Sequence, residues 1–470
     1  MRNTLFYNII VVSCLLLFSL VGSAQNDSTI LTYNEYIKNV LTHHPMAQRA
    51  DLQTDFAEAR WLSARGKFDP KLTSSWSEKN FDGKHYYKVF EAGFKIPTWY
   101  GLSVSGGYEN TDGVFLNPEN KTDKHGLWAA GIEANLLQGL LIDERRAALK
   151  QAEVYQKSAA NERKIMLNQL LLAASQSYIN WQLVFNNQIV IEGGIDLAEE
   201  YLEATRQLFR NGDKPAIDTL EAFLIVQDRL LRLQTNEIQL VTAKQQLENY
   251  LWYEQVPLEL QSTTVPQDMS ENNLDWIDYA PLTQMLDKHP DILEKELKRA
   301  QYGIEGRMKR DKLKPKLKLK YNPLLQTSEN GIAPNYALSN YKWGFEFSMP
   351  LLMRSEKAAI AENQLKIREV EYDILDKRNT ILNKVEANLA KQSLLQRQVN
   401  LQSQNVSNYK RLLDAERTKF DFGESSVFLL NKRQEKYLES SIKLTELIAK
   451  YQMANVEYLF FRGDFLDVME

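Results

Sequence analysis

Two stretches of 68 residues, 143–210 and 354–421, contain no proline, and their only glycines are the adjacent Gly193 and Gly194. Proline and glycine break helices through a missing donor, a steric clash or a large backbone entropy. Unbroken helix over either stretch runs about 100 Å at 1.5 Å per residue. A helix that long has too little stability of its own, so it needs neighbours along its whole length. Apolar residues recur three and four apart in both stretches: Leu149, Ala152, Leu167, Leu170, Ala174 and Tyr178, then Leu365, Val370, Ile374, Ile381, Val385 and Leu389. That spacing makes a coiled-coil-like packing seam. Shorter returning helices are expected from Ala216 to Tyr253 and from Ser426 to Phe460.

Ten of the twenty glycines fall between Gly66 and Gly139, and there the pattern changes to period two. Trp128, Ala130, Ile132, Ala134 and Leu136 alternate with Ala129, Gly131, Glu133 and Asn135, and Phe90, Ala92, Phe94 and Ile96 form a similar row. Further on, Leu317, Leu319 and Tyr321 alternate with Lys316, Lys318 and Lys320, and Tyr341, Trp343, Phe345 and Phe347 alternate with Lys342, Gly344, Glu346 and Ser348. Such strands have one apolar and one polar face. They fit a β-sandwich, or a barrel with lipid outside and water within. In the barrel reading, Trp76, Trp99, Tyr100, Tyr108, Trp128 and Trp343 supply an interfacial aromatic girdle, and the lysine row faces either a lumen or bulk water.

The chain also repeats itself. His44-Pro45 matches His289-Pro290, and Pro70-Lys71-Leu72 matches Pro315-Lys316-Leu317, with one offset of 245 (290 minus 45, 315 minus 70). Beyond the strands the offset is 211, as for Leu140 and Leu351, Phe209 and Phe420, or Gly212 and Gly423 (423 minus 212). The change lies wholly among the strands, so the first repeat carries the longer β insertion. This divides the chain into a first repeat, 25–257, a connector, 258–280, and a second repeat, 281–470. Each repeat reads helix, strands, very long helix, glycine turn, returning helix.

Arg2, the apolar run Ile9–Leu20 and Gly22-Ser23-Ala24 fit a signal peptide over 1–24. The alternative, an anchor helix, needs a run of roughly 20 residues. The only cysteine, Cys14, lies in that run, leaving no disulfide and no cysteine-based metal site beyond it. Lysine plus arginine, 57, nearly balance aspartate plus glutamate, 61, which points away from nucleic acid. No Gly-rich phosphate loop, His-Glu-x-x-His or Gly-x-Ser-x-Gly occurs, so neither an enzyme nor a cofactor is expected. His43 and His44 point about 100° apart on a helix and lack a third ligand nearby; His44 instead shapes a helix end before Pro45.

The repeated order His-Pro, Pro-x-Leu, strands, Pro350-Leu351 (Gly139-Leu140 in the first repeat), long helix and aromatic-x-x-Gly turn resembles the TolC-like outer-membrane efflux protein family. The likeness covers essentially the whole chain beyond the leader. It implies a mainly α fold with membrane β, in which long helical hairpins form a periplasmic α-barrel. Each copy in a homotrimer would give four strands to a shared outer-membrane β-barrel. The first repeat offers four strands by itself, and the extra pair around 86–108 either enlarges the barrel or forms an outer hairpin. The resemblance further implies an outer-membrane channel of a tripartite efflux or type I secretion system. Its partners would be outer-membrane lipid, a periplasmic adaptor (membrane fusion) protein and an inner-membrane pump.

At the tips, the family's aromatic-x-x-Gly followed by Asp-x-Leu is met by Phe209, Gly212 and Asp218-Thr219-Leu220. Phe420 and Gly423 meet only the first part, since Leu429-Leu430-Asn431 stands where Asp-x-Leu would. Phe209, Gly212, Phe420 and Gly423 are therefore the expected adaptor-docking positions. Asp218, Leu429, Leu430 and Lys432 are candidates for a tunnel constriction. An aspartate pair that forms a ring in some relatives is replaced here by Leu429 and Lys432, which leaves a hydrophobic constriction or plain helix packing. Two rival readings remain: a periplasmic coiled-coil adaptor or structural protein, and an exported carbohydrate- or peptide-processing enzyme.

Overall fold

The structure, a computed structural model, describes residues 29–269, 282–327 and 334–469. The expected signal peptide, Cys14 and the connector residues 270–280 lie outside the described residues.

The chain opens with β1 (Ile30–Leu31), α1 (Tyr33–His43) and α2 (Pro45–Gly66). Thr32 starts α1 with a capping box, its side chain accepting from Glu35 N–H while the Glu35 carboxylate takes the Thr32 N–H. Strands β2 (Lys71–Phe81), β3 (Lys84–Pro97), β4 (Leu102–Asp112) and β5 (Leu127–Asn135) follow, and then α3 (Glu144–Arg210) and α4 (Ala216–Glu248). Short strands β6 (Trp252–Tyr253) and β7 (Val256–Pro257) end the first repeat, and β8 (Val265–Pro266) lies in the expected connector. The second repeat gives α5 (Leu282–Lys288), α6 (Pro290–Asp311), β9 (Lys316–Thr327), β10 (Pro334–Ser348), α7 (Arg354–Asp421), α8 (Val427–Arg462) and α9 (Phe465–Met469).

Both 68-residue stretches are helices to within a residue of the expected bounds. The helix expected to reach Tyr253 stops at Glu248 instead. Two forces end it there. Asn39 of α1 holds Trp252 through a donated and an accepted hydrogen bond of 3.1 and 3.3 Å. Glu254 and Gln255 turn the chain with φ of 47° and 69°, which hairpin turns normally reserve for glycine or asparagine, so the turn leaves no sequence signal.

The six long strands form one antiparallel sheet in the order β10-β9-β5-β4-β3-β2. The extra strands are continuous with the rest: β3 and β4 are full members of the sheet, and β2 turns into β3 through Asp82-Gly83, with φ of 52° and 69°. No second sheet of comparable size exists among the described residues, so the sandwich reading fails.

The chain divides into two compact units, each drawn from both repeats. The first holds residues 29–48, 169–269 and 386–460, and the second holds 49–168, 282–327, 334–385 and 461–469. In the first, Tyr33 and Tyr36 of α1 pack on Tyr178 of α3 at ring distances of 5.4 Å. The Tyr33 hydroxyl pairs with Ser175 at 2.7 Å, and Tyr178 donates to the Leu31 carbonyl at 2.8 Å. Val265 N–H donates to Thr29, joining the connector to the chain start as a parallel β1–β8 pair. In the second unit, Asn161 reaches the Pro290 carbonyl at 2.8 Å, and Asn168 bridges Gly463 and Leu466.

Candidate functional site: a two-faced sheet and paired hairpin tips

The sheet register places all period-two apolar residues on one face. Leu72 opposes Phe94, Trp76 opposes Phe90, Val104 opposes Ile132, Ile132 opposes Tyr321, and Tyr321 opposes Trp343. Trp343 and Phe345 are 62% and 64% exposed, so nothing among the described residues covers them. Five of the six aromatic residues expected in a girdle lie exposed here, Trp76, Trp128 and Trp343 on the strands and Trp99 and Tyr100 in the β3–β4 turn, whereas Tyr108 is half-buried beside Trp128. Trp99 stacks on Phe68 at 4.2 Å.

The opposite face is polar and charged. Glu133 stands between Lys95 and Lys318, at 2.9 Å from each. The β4–β5 loop is tied to this side of the sheet. Thr111 donates to the Asn120 carbonyl at 2.7 Å and exchanges bonds with Thr122, while Gln326 donates to Asp123 at 3.0 Å.

Where the first repeat has Gly139-Leu140 in place of Pro-Leu, the passage from β5 into α3 is built from other residues. Gly139 takes a φ of 82° and donates its N–H to buried Asp311 at 2.6 Å. Arg146 holds the Gly139 and Leu140 carbonyls. Asp143 caps α3 by accepting from Arg146 N–H at 2.9 Å. Asp311 comes from the other repeat, so no local motif announces it.

The two histidines of the repeat act alike. His44 Nδ1 accepts from Met46 N–H at 3.0 Å, and His289 Nδ1 accepts from Asp291 N–H at 3.1 Å. Burial pushes both imidazoles below their usual pKa, which keeps Nδ1 free to accept.

The hairpin tips lie in the first unit and close in the same way. Gly212, with φ 83°, donates to Phe209 and Asp213 donates to Leu208; Gly423, with φ 78°, donates to Phe420 and Glu424 donates to Lys419. These are two Schellman motifs related by the repeat, and a Cβ on either glycine would meet nothing within 4 Å. The four docking candidates are not equivalent, however. Phe209 is exposed, whereas Phe420 is buried against Tyr201 at 5.2 Å.

The constriction candidates also separate. Leu430 is buried in a core with Ala198, Tyr201, Leu202, Ala222, Val226, Leu413, Phe420 and Val427, so it packs its own hairpins. Asp218 is half-buried in the first turn of α4, Leu429 is largely accessible and Lys432 is exposed. Exposed Ile217, Leu220, Phe422 and Phe428 join Phe209 at the tips, a patch that motif reading did not single out. Below the second tip, the Ser425 hydroxyl, donating at 2.6 Å, and Arg433 hold the Glu416 carboxyl below the usual range.

No helix among the described residues is long and apolar enough to cross a membrane. Residues 282–457 match the family described as Outer membrane efflux protein. Among solved structures, the chain is similar to the CmeC outer membrane channel of Campylobacter jejuni, at 13% identity and a TM-score of 0.63, covering 92% of this chain and 85% of that one. The outer membrane protein VceC of Vibrio cholerae gives 13% identity and 0.64, covering 92% and 95%. The open state of the MtrE outer membrane channel of Neisseria gonorrhoeae gives 14% and 0.63, covering 92% and 89%. No curated protein matches the chain. The fold is thus that of the TolC-like outer-membrane channels, and the adaptor alternative finds no support.

Proposed function

We propose that this chain, an outer membrane efflux protein over its second repeat and a TolC-like channel in fold, is the outer-membrane duct of a tripartite efflux or type I secretion system. It conducts cargo passively, as a homotrimer, and catalyses nothing. The observation that carries this reading is the sheet with one apolar face lined by exposed aromatic and aliphatic side chains and one charged face. In water such a face would drive aggregation, while in a bilayer it is the outer wall of a barrel. One copy has two free sheet edges, which hydrocarbon does not tolerate, so the wall requires further copies.

The helices support assembly independently. Along α4, Ile217, Leu220, Leu224, Leu231 and Ile238 are all exposed, at spacings of three, four, seven and seven. A heptad stripe without a partner among the described residues is the signature of a helix that packs against another copy. The tip patch of Phe209, Ile217, Phe422 and Phe428 around Gly212 and Gly423 then serves a periplasmic adaptor. Asp218, Leu429 and Lys432, each repeated by symmetry, form rings at the narrow end.

Extraction tests the reading. The protein should leave outer membranes only with detergent and sediment as a trimer. A monomer released by salt or osmotic shock alone would refute it.

A further inference from the structure

We propose that β2 is the strand by which one copy meets the next, pairing antiparallel with β10 of its neighbour so that Leu72 lies opposite Phe347, and that three copies close an eighteen-stranded wall. This rests on the trimeric-duct reading and fixes what that reading leaves open, namely whether the β2–β3 hairpin is wall or ornament.

Three observations converge. First, β4 has no edge to offer, because β3 pairs with it without a break from Lys88–Asp112 to Pro97–Ser103. The free edges are β2, whose residues are exposed throughout, and β10. Second, the hairpin shares the apolar face: Leu72, Trp76 and Phe94 are as exposed as Val104, Ile132 and Trp343 in the rows they continue. A hairpin standing in water would have no reason to carry that stripe, whereas a lipid-facing wall requires it.

Third, the register closes. From Leu72 the hydrogen-bonding row passes Phe94, Gly106 and Ala130, and through Pro323 reaches Tyr341. The next copy must join at an even displacement from Tyr341, since an odd one would turn the apolar face inward. A displacement of six residues over six strands, at about 3.4 Å per residue and 4.8 Å between strands, tilts the strands by about 35°, within the range of barrels. Four residues give only about 25°. Eight give about 43°, but would set Lys71 against Pro350, beyond the end of β10, and Lys79 against Lys342.

Six sets residues 71–78 against 348–341, the part of β10 that pairs regularly with β9. It brings Trp76 to Trp343 and Leu72 to Phe347 on the lipid side. On the polar side Thr73 faces Glu346, with Lys71 diagonal to that carboxylate, a favourable cross-strand set. The wall is then about 34 Å across its backbone.

Beyond Cys14 the sequence has no cysteine, so paired cysteines report directly. Ser75→Cys with Gly344→Cys places two thiols directly opposite each other between copies, at a Cα separation of about 5 Å that a disulfide accepts. Within one copy the same positions lie five strand spacings, about 24 Å, apart. Oxidation of the assembled full chain should shift most of the protein from the monomer band to reducible dimer and trimer bands on a denaturing gel. Ser105→Cys with Gly344→Cys, which reports β4 meeting β10, should remain monomeric. Cross-linking through Ser105, or none through Ser75 in a protein that still sediments as a trimer, would overturn the proposal. Failure to sediment as a trimer at all would instead remove the duct reading beneath it.

Discussion

Arg229 of α4 is 1% exposed, and its guanidinium nitrogens meet no hydrogen-bond acceptor among the described residues. Glu435 Oε2 stands 3.8 Å away, while Oε1 of the same carboxylate is taken by Arg232 at 2.8 Å. Burial lowers the Arg229 pKa and Glu435 raises it, but the guanidinium starts so high that it stays charged. A buried charge held this loosely recovers little of its desolvation. Replacing such a group by an apolar side chain of similar volume is neutral or stabilising by about 1–4 kcal/mol. With its donors unmet, Arg229→Met belongs in the upper half of that range, about 2–4 kcal/mol. Glu435→Gln removes the counter-charge that acts most strongly on Arg229, ahead of Asp228, and costs about 1–3 kcal/mol, discounted because Glu435 is partly exposed. Tryptophan fluorescence during thermal unfolding, at one scan rate in one detergent, reads both. Arg229→Met should raise the melting temperature by at least about 3 °C and Glu435→Gln should lower it. If Arg229→Met lowers it as much as Glu435→Gln does, the charge is satisfied in the assembly and the reasoning fails.

Other expectations follow from single contacts. Gly193→Ala should stabilise α3 by up to about 1 kcal/mol, because its Cβ meets nothing, whereas Gly194→Ala should not, because its Cβ would stand 3.1 Å from Leu438 and 3.2 Å from Arg229. Equal melting shifts for the two variants would contradict this. Asp311→Ala strands the Gly139 N–H and should cost about 2–3 kcal/mol, seen as faster proteolytic nicking between β5 and α3; an unchanged nicking rate would count against that anchor. His289 is held below its usual pKa, so its cap is at full strength above the ordinary imidazole value of about 6.5 and weakens as pH falls through the lower folded value. His289→Asn keeps an acceptor for Asp291 N–H, so its melting temperature should fall less between pH 7 and pH 5. Parallel curves for the two proteins would refute that cap.

Much of this was legible because helix breakers and period-two alternation are local signals. The absence of proline and glycine bounded α3 and α7, and the alternation around Ile132 and Phe345 marked both the strands and their faces. The repeat carried the tips, since Gly212 and Gly423 end their helices alike. What stayed hidden depends on partners distant in sequence. Asp311 fixes the turn at Gly139 from 172 residues away. Asn39 ends α4 early, and the turn it supports uses Glu254 and Gln255, which carry no turn signature. Phe209 and Phe420 occupy one motif position, yet only Phe420 has Tyr201 to pack against, so equivalence in the repeat did not mean equivalence in exposure. A patch such as Ile217, Phe422 and Phe428 becomes visible only once burial has claimed the other apolar residues.

The central claim is that this chain makes a water-filled passage through a bilayer. Single-channel recording of the purified protein, lacking residues 1–24, in planar lipid membranes tests it most directly. Discrete, uniform conductance steps from detergent-extracted trimers are the expected result, with step size altered by Asp218→Ala or Lys432→Ala at the narrow end. Protein that inserts without conductance, or that remains a water-soluble monomer and never inserts, would contradict the account.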